Sequence, residues 1–171
     1  MTTRLERSLD YATQPATLHG AFTDAEYWPA RVAEVGGEGA RIAELSITGE
    51  GAERSVRVLV VHLIGEDKLP SVVTAIRPGG LEIHRVEEWG PFDGTRSEGR
   101  FSAEIQGVPA QLSGTSVIEA APEGARITGT GEASVSIPFI ANKVESLVIE
   151  NLQELMESER EFTLQWIAER A

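Results

Sequence analysis

The stretch that decides the fold is residues 138–171, PFIANKVESLVIENLQELMESEREFTLQWIAERA. A proline at its start suits the first turn of a helix. An apolar stripe at helical spacing then follows: Ile140, Val144, Leu147, Val148, Leu152, Leu155, Phe162 and Trp166. The opposite side carries the glutamates Glu150, Glu154, Glu157 and Glu161. This pattern predicts one long amphipathic C-terminal helix, which needs a second layer to cover its apolar face.

The remaining sequence predicts that the second layer is a β-sheet. A first strand is predicted over residues 4–11, with Leu5, Leu9 and Tyr11 on one face and Arg7 interrupting them. Six more strands are predicted over residues 41–48, 54–64, 81–89, 95–106, 111–121 and 125–137. Because short turns join most of them, we expect an antiparallel sheet, since parallel strands need long crossovers.

Helices are predicted in two of the connections. Pro15 begins a short helix over residues 15–22, and Thr23-Asp24-Ala25-Glu26 reads as a capping box for a second helix ending near Val35. Pro29 would then fall in the second turn and distort that helix. Residues 69–76 have helical apolar spacing and predict a short helix over the mouth of the sheet, with a β-branched edge strand as the alternative.

The composition limits the class of protein and the partners to be expected. The chain has 171 residues, 41% hydrophobic and 25% charged, which is typical of one globular domain spanning residues 1–171. A net charge of −12 disfavours nucleic acid and anionic membranes as partners, because both attract cationic surfaces. No signal peptide and no apolar run of membrane-spanning length is present, so a soluble, cytoplasmic protein without membrane insertion is expected.

No catalytic or metal-binding motif stands out. The absence of cysteine excludes disulfides, thiolate ligands and thiol nucleophiles. His19, His62 and His84 are isolated and form no metal-ligand pair, and no G-x-S-x-G motif is present. We therefore predict no metal, no cofactor and no catalytic residue.

The order of elements resembles the helix-grip fold of the START-like (SRPBCC) superfamily, which includes lipid-transfer domains, polyketide cyclases and plant pathogenesis-related allergens. The closest resemblance is to a family of unknown function within it. It is carried by residues 137–145 (IPFIANKVE), Trp166-Ile167, Leu69-Pro70 and Glu88-Trp89. The resemblance implies an α+β fold, in which a curved antiparallel sheet of about seven strands grips the C-terminal helix and two short helices follow the first strand. It implies an apolar ligand class but carries over no catalytic residues.

A curved sheet around one helix leaves space that is either filled or open. In the last strand the positions on one face are small, at Gly129, Gly131 and Ala133. These residues either leave room for a ligand or permit sheet curvature and close docking of the helix. Asn151, on the apolar stripe, is either a polar anchor or bonded to backbone or water. The candidate ligand-binding residues are Tyr27, Trp28, Phe101, Ala103, Ile105, Gly129, Gly131, Val144, Val148, Asn151 and Leu155.

Three functions fit these patterns. The leading hypothesis is an intracellular binding protein whose partner is an apolar small molecule or lipid in a cavity between sheet and helix. The second is an enzyme resembling cyclases and dehydratases, with His62, His84 or Arg85 moving protons if they face inward. The third is a protein-interaction module resembling co-chaperones, which would show an exposed apolar patch on the sheet.

Overall fold

The computed structural model of the chain describes residues 2–76, 78–137 and 141–171, apart from the side chains of Val72, Ile76, Ala141 and Val144. The strands are β1 Thr2–Tyr11, β2 Arg41–Thr48, β3 Ser55–Ile64, β4 Leu81–Trp89, β5 Arg96–Ile105, β6 Ala110–Ala121 and β7 Gly124–Val135. The α-helices are α1 Pro15–Phe22, α2 Tyr27–Val35, α3 Ser71–Ile76 and α4 Ala141–Arg170. The 3-10 turns Gly51–Glu53 and Glu66–Lys68 lie in the connections around β3.

All seven strands form one curved antiparallel sheet in the order β1-β7-β6-β5-β4-β3-β2. Short connections join the strands of the meander from β2 to β7, except between β3 and β4, where the connection contains α3. Strand β1 pairs with β7 and lies at one edge of the sheet. The predicted α+β helix-grip fold is therefore confirmed, and the six predicted strands after β1 differ from the observed ones by at most two residues at either end. Among the described residues, no helix is long and apolar enough to cross a membrane.

The start of α2 differs from the prediction. The Thr23 hydroxyl donates a hydrogen bond to the carbonyl oxygen of His19 at 2.9 Å, so Thr23 closes α1 and does not cap α2. Because α2 begins at Tyr27, Pro29 lies in its first turn, where a missing N–H leaves no helical hydrogen bond unmade. The expected distortion at Pro29 is therefore wrong.

Two hydrophobic clusters fill the space between the sheet and the helices. The larger one joins α1 and α2 to the end of α4, and its aromatic members are Tyr11, Phe22, Tyr27, Trp28, Trp89, Phe162 and Trp166. The second lies at the other end of the sheet and includes Leu69, Val73, Leu81, Ile83, Ala103, Ile105 and Val135. The predicted helix at residues 69–76 is present as α3, and Val73 of this helix and Leu69 just before it belong to the second cluster.

Candidate functional site

A cavity of about 180 Å³ lies between the inner face of the sheet and α4, bordered by members of both hydrophobic clusters. Its wall is mostly apolar: Leu5, Leu9, Phe22, Trp89, Phe101, Ala103, Leu112, Ile127, Ile149, Leu152 and Met156. An apolar cavity of about 150 Å³ is large enough to hold benzene. This cavity therefore has room for a molecule built on one small ring.

Phe101 explains the small residues that face it across the sheet. In register, Phe101 of β5 pairs with Gly114 of β6, which pairs with Gly131 of β7. A Cβ atom at Gly131 would collide with the carbonyl oxygen of Ser113 and lie 3.0 Å from the Phe101 ring. A Cβ atom at Gly129 would meet the same ring at 3.6 Å, which is ordinary contact. Close approach of a ring and a neighbouring strand therefore requires glycine at Gly131, whereas the position of Gly129 has room for a methyl group.

The inner end of the cavity carries a network of four charges, of which Arg31 and Glu159 are buried and Arg85 and Glu87 are half-buried. The Arg31 guanidinium lies 2.8 Å from a Glu87 carboxylate oxygen and 2.6 Å from a Glu159 oxygen. Arg85 donates to both Glu159 oxygens, at 2.8 and 3.1 Å, and lies 3.2 Å from Glu87. The network joins α2, β4 and α4, and its two positive and two negative charges cancel. Buried charges are tolerated when they are paired in this way.

The ionisable groups Glu159, Tyr11 and Tyr27, in and around this network, each keep one protonation state near neutral pH. Burial would raise the pKa of Glu159, but the neighbouring guanidiniums of Arg31 and Arg85 outweigh that effect and lower it to about 2. Burial raises the pKa of the Tyr11 phenol, which borders the cavity. Burial also raises the pKa of Tyr27 to about 12. None of these three groups changes charge near neutral pH.

The structure places four of the candidate ligand-binding residues at the cavity wall: Phe101, Ala103, Gly129 and Gly131. Two others, Ile105 and Val148, border a neighbouring void of only about 10 Å³, to which Ala103 also contributes. The side chain of Val144 lies outside the described part of the chain.

The expectation for Tyr27 and Trp28 is corrected by their position in the aromatic cluster. Both are fully buried and neither borders the cavity. The Trp28 indole N–H donates to the carbonyl oxygen of Phe22 at 2.8 Å, and the Tyr27 hydroxyl lies 2.7 Å from the Thr163 hydroxyl. Because their polar atoms find partners inside the core, the rings pack there.

Asn151 and Leu155 are also displaced from the expected site. The Asn151 side-chain amide donates to the carbonyl oxygen of Leu147, one turn earlier in α4, at 2.8 Å. Asn151 therefore bonds backbone, as the alternative interpretation held. Leu155 is half-buried and does not border the cavity.

Sequence reasoning missed the face of α4 that borders the cavity. That face carries Ile149, Leu152, Met156, Glu159 and Thr163, and only Leu152 belonged to the predicted apolar stripe. The spacing of three or four residues is helical, but two of the five side chains are polar. The glutamate and threonine could have been found by extending the spacing from Ile149 and Met156 regardless of polarity.

The three residues considered for proton transfer lie on different faces of the sheet. Arg85 faces α4 and borders the cavity, as its bonds to Glu159 require. His62 also faces inward and does not border the cavity; its Nδ1 lies 3.1 Å from the Gly36 carbonyl oxygen and its Nε2 lies 3.4 Å from Arg85. Burial, followed by the charge of Arg85, lowers the pKa of His62. His84 is on the outer face, 2.8 Å from Glu82.

Solved structures with the same architecture define the class of fold. TTHA0849 from Thermus thermophilus matches with a TM-score of 0.55 at 20% identity, covering 100% of this chain and 99% of that one. The di-domain ARO/CYC StfQ from the steffimycin biosynthetic pathway matches with a TM-score of 0.58 at 11% identity, covering 99% of this chain and 52% of that one. Ara h 8.0201 matches with a TM-score of 0.50 at 15% identity, covering 96% and 99%. At these identities the likeness is one of fold, and it agrees with a START-like helix-grip architecture.

Sequence similarity assigns the chain to a family. Residues 6–167 match a family described as Protein of unknown function (DUF2505), and the chain belongs to that family. An uncharacterized protein of Mycobacterium tuberculosis, Rv0481c, is 32% identical over 170 residues, which cover 98% of each chain. Its counterpart in Mycobacterium bovis, Mb0491c, has the same identity and coverage.

Proposed function

We propose that this protein binds a small apolar molecule in the cavity between the sheet and α4. The observation that carries the proposal is the unfilled volume itself. The wall of this volume of about 180 Å³ is mostly apolar and the cavity is open to solvent on one side, so apolar surface is left in contact with water that a packed core would bury. An apolar ligand would remove that surface from water, which favours a binding role for the space.

The size of the cavity favours a compact ligand over a lipid. A long acyl chain has several times the volume of benzene, and a cavity of this size is comparable with one that holds benzene. The lipid hypothesis therefore requires α4 to move away from the sheet, whereas a single-ring ligand requires no movement. We propose the single-ring class.

The ionisable groups at the cavity favour binding over proton transfer. General acid–base catalysis works best with a pKa near the working pH. The lowered pKa of Glu159 and the raised pKa of Tyr11 keep both groups far from that range. Of the three residues considered for proton transfer, His62 and His84 do not border the cavity, and Arg85 does. Burial would lower the pKa of Arg85, but the carboxylates of Glu159 and Glu87 outweigh that effect and raise it above its usual value, so Arg85 stays charged and cannot act as a base near neutral pH. The observed chemistry thus supports a binding protein more than a cyclase-like enzyme.

The test fills the cavity and measures uptake of a ring-sized probe. Ala103 is buried at the cavity wall, so Ala103→Leu should occupy part of the void, keep the melting temperature within a few degrees of wild type and weaken indole binding. Ala125 is fully buried in the packed aromatic cluster, and Ala125→Leu should overpack it and cost about 1–3 kcal/mol. Indole titration by calorimetry and thermal unfolding are measured for both.

The matched pair of variants separates a usable cavity from a packed core. The proposal requires wild-type protein and Ala125→Leu, where it folds, to bind indole more tightly than Ala103→Leu does. Absence of indole binding by the wild type would refute the proposal. Equal destabilisation by the two substitutions would show that the space at Ala103 is not available for a side chain or a ligand.

A further inference from the structure

We infer that the ligand of this cavity is a compact monocarboxylate, with its ring inside and its carboxylate bound by Arg7 at the mouth. This inference rests on the proposed binding function and adds the chemical class of the ligand. It is carried by the position of Arg7, by the lack of close partners for its guanidinium and by the charge balance of the cavity wall.

The mouth of the cavity lies between β1 and α4. Arg7 borders the cavity from β1, and its side chain is 34% exposed. Gln153 and Met156 border it from α4, and Gln153 is exposed to solvent. Arg7 pairs in register with Gly129, which has no side chain. A ligand that enters between β1 and α4 therefore passes Arg7.

The charge of Arg7 is poorly compensated. Its Nε is buried and has no hydrogen-bond partner among the described residues. Its Nη2 lies 3.6 Å from a Glu157 carboxylate oxygen, and Arg160 also lies 3.6 Å from that carboxylate. Both distances exceed the usual range of a hydrogen bond. Two guanidiniums thus share one half-exposed carboxylate, and a buried guanidinium N–H without an acceptor costs free energy.

The wall of the cavity carries a net positive charge in a strongly acidic chain. The four charges of the inner network, Arg31, Arg85, Glu87 and Glu159, cancel one another. Glu6 and Arg100 also border the cavity, but both lie at exposed positions that alternate with the inward side chains of their strands, and they too are opposite in sign. Arg7 remains as the excess charge, although the whole chain has a net charge of −12.

A carboxylate is the group that this arrangement favours. The Nε and Nη2 atoms lie on the same edge of a guanidinium, and that edge binds a carboxylate through two parallel hydrogen bonds. A small rotation of the partly exposed Arg7 side chain would present this edge to a ligand at the mouth. Hydrogen bonds to charged groups are stronger than neutral ones, so an anion should gain over a neutral ligand of the same shape.

Three probes with the same ring and tether test the class of ligand. These are 3-phenylpropionate, 3-phenylpropan-1-ol and 3-phenylpropylamine, each titrated by calorimetry at pH 7 and low salt. Wild-type protein should bind the carboxylate about tenfold more tightly than the alcohol, and the amine most weakly. Arg7→Gln should weaken carboxylate binding about tenfold and leave alcohol binding unchanged.

Two further variants test whether Arg7→Gln weakens carboxylate binding only by disturbing the structure. Arg4 lies on the same strand with an exposed side chain, so Arg4→Gln removes an equal charge away from the cavity and should change neither affinity. Arg7→Lys keeps the charge and loses the two-bond edge, so its carboxylate affinity should fall between those of wild type and Arg7→Gln. Thermal unfolding of each variant shows that it is folded.

The possible results distinguish this inference from the proposed function. Equal affinity for carboxylate and alcohol, unchanged in Arg7→Gln, would overturn the inference and leave the apolar binding site standing. Preference for the amine would overturn it as well, because the glutamates would then set the selectivity. Failure of the wild type to bind any of the three probes, or indole, would overturn the proposed function itself.

Discussion

Replacing Glu159 with glutamine should be among the most costly single substitutions in this protein. The change leaves the guanidiniums of Arg31 and Arg85 buried with only Glu87 as a charged partner. A pKa lowered from 4.5 to about 2 corresponds, at about 1.4 kcal/mol per unit, to about 3 kcal/mol of stability from the ionised form. Breaking buried ion pairs by removing one partner typically costs about 3–5 kcal/mol. We expect Glu159→Gln to lower the free energy of unfolding by that amount at pH 7.

The same contribution should depend on pH with a known sign. Because the folded-state pKa of Glu159 is lowered, its stabilisation is fully present above about pH 4.5 and is lost as the pH falls towards about 2. Wild-type protein should therefore lose stability through this window more steeply than Glu159→Gln does. Urea unfolding followed by tryptophan fluorescence at a series of pH values measures both slopes.

A neighbouring glutamate provides the control. Glu157 lies two residues earlier in α4 with its side chain 49% exposed, and its ion pairs are long, so Glu157→Gln should change stability by less than about 0.5 kcal/mol. If Glu159→Gln also costs less than about 1 kcal/mol at pH 7, or keeps the wild-type acid slope, the network does not stabilise the fold as we argue.

Two further predictions concern the sheet and the connection before β4. Gly131→Ala should destabilise the protein by about 1–3 kcal/mol because its Cβ would collide with backbone, whereas Gly129→Ala should be neutral or slightly stabilising in thermal unfolding. Similar melting temperatures for both alanine variants would contradict the close approach at Gly131. Hydrogen exchange in α3 should not slow when a ring-sized ligand binds, because Leu69 and Val73 pack in the second cluster and do not border the cavity. A ligand-induced slowing confined to α3 would instead make it part of the site.

The strands and helices could be predicted from the sequence, because the periodicity that identifies them is a property of neighbouring residues. Strands β2 and β4 begin and end where the alternation of side chains and the turn residues predict, and the amphipathic pattern after Pro138 identifies the long helix α4. The capping box at Thr23 failed because a hydroxyl can bond equally well to the helix behind it, and only the fold decides which helix it serves.

Contacts between side chains that are far apart in the sequence could be identified only from the tertiary structure. Nothing near Glu159 in the sequence shows that two arginines, one from α2 and one from β4, will neutralise it, so the pairing of this buried carboxylate could not be predicted from the sequence. Gly131 likewise could be interpreted only when the Phe101 ring and the neighbouring strand lay against it. Burial of a charge and contact with a glycine both depend on partners that are far away in the chain. The periodicity of one segment assigns a residue to a face but does not identify what packs against that face.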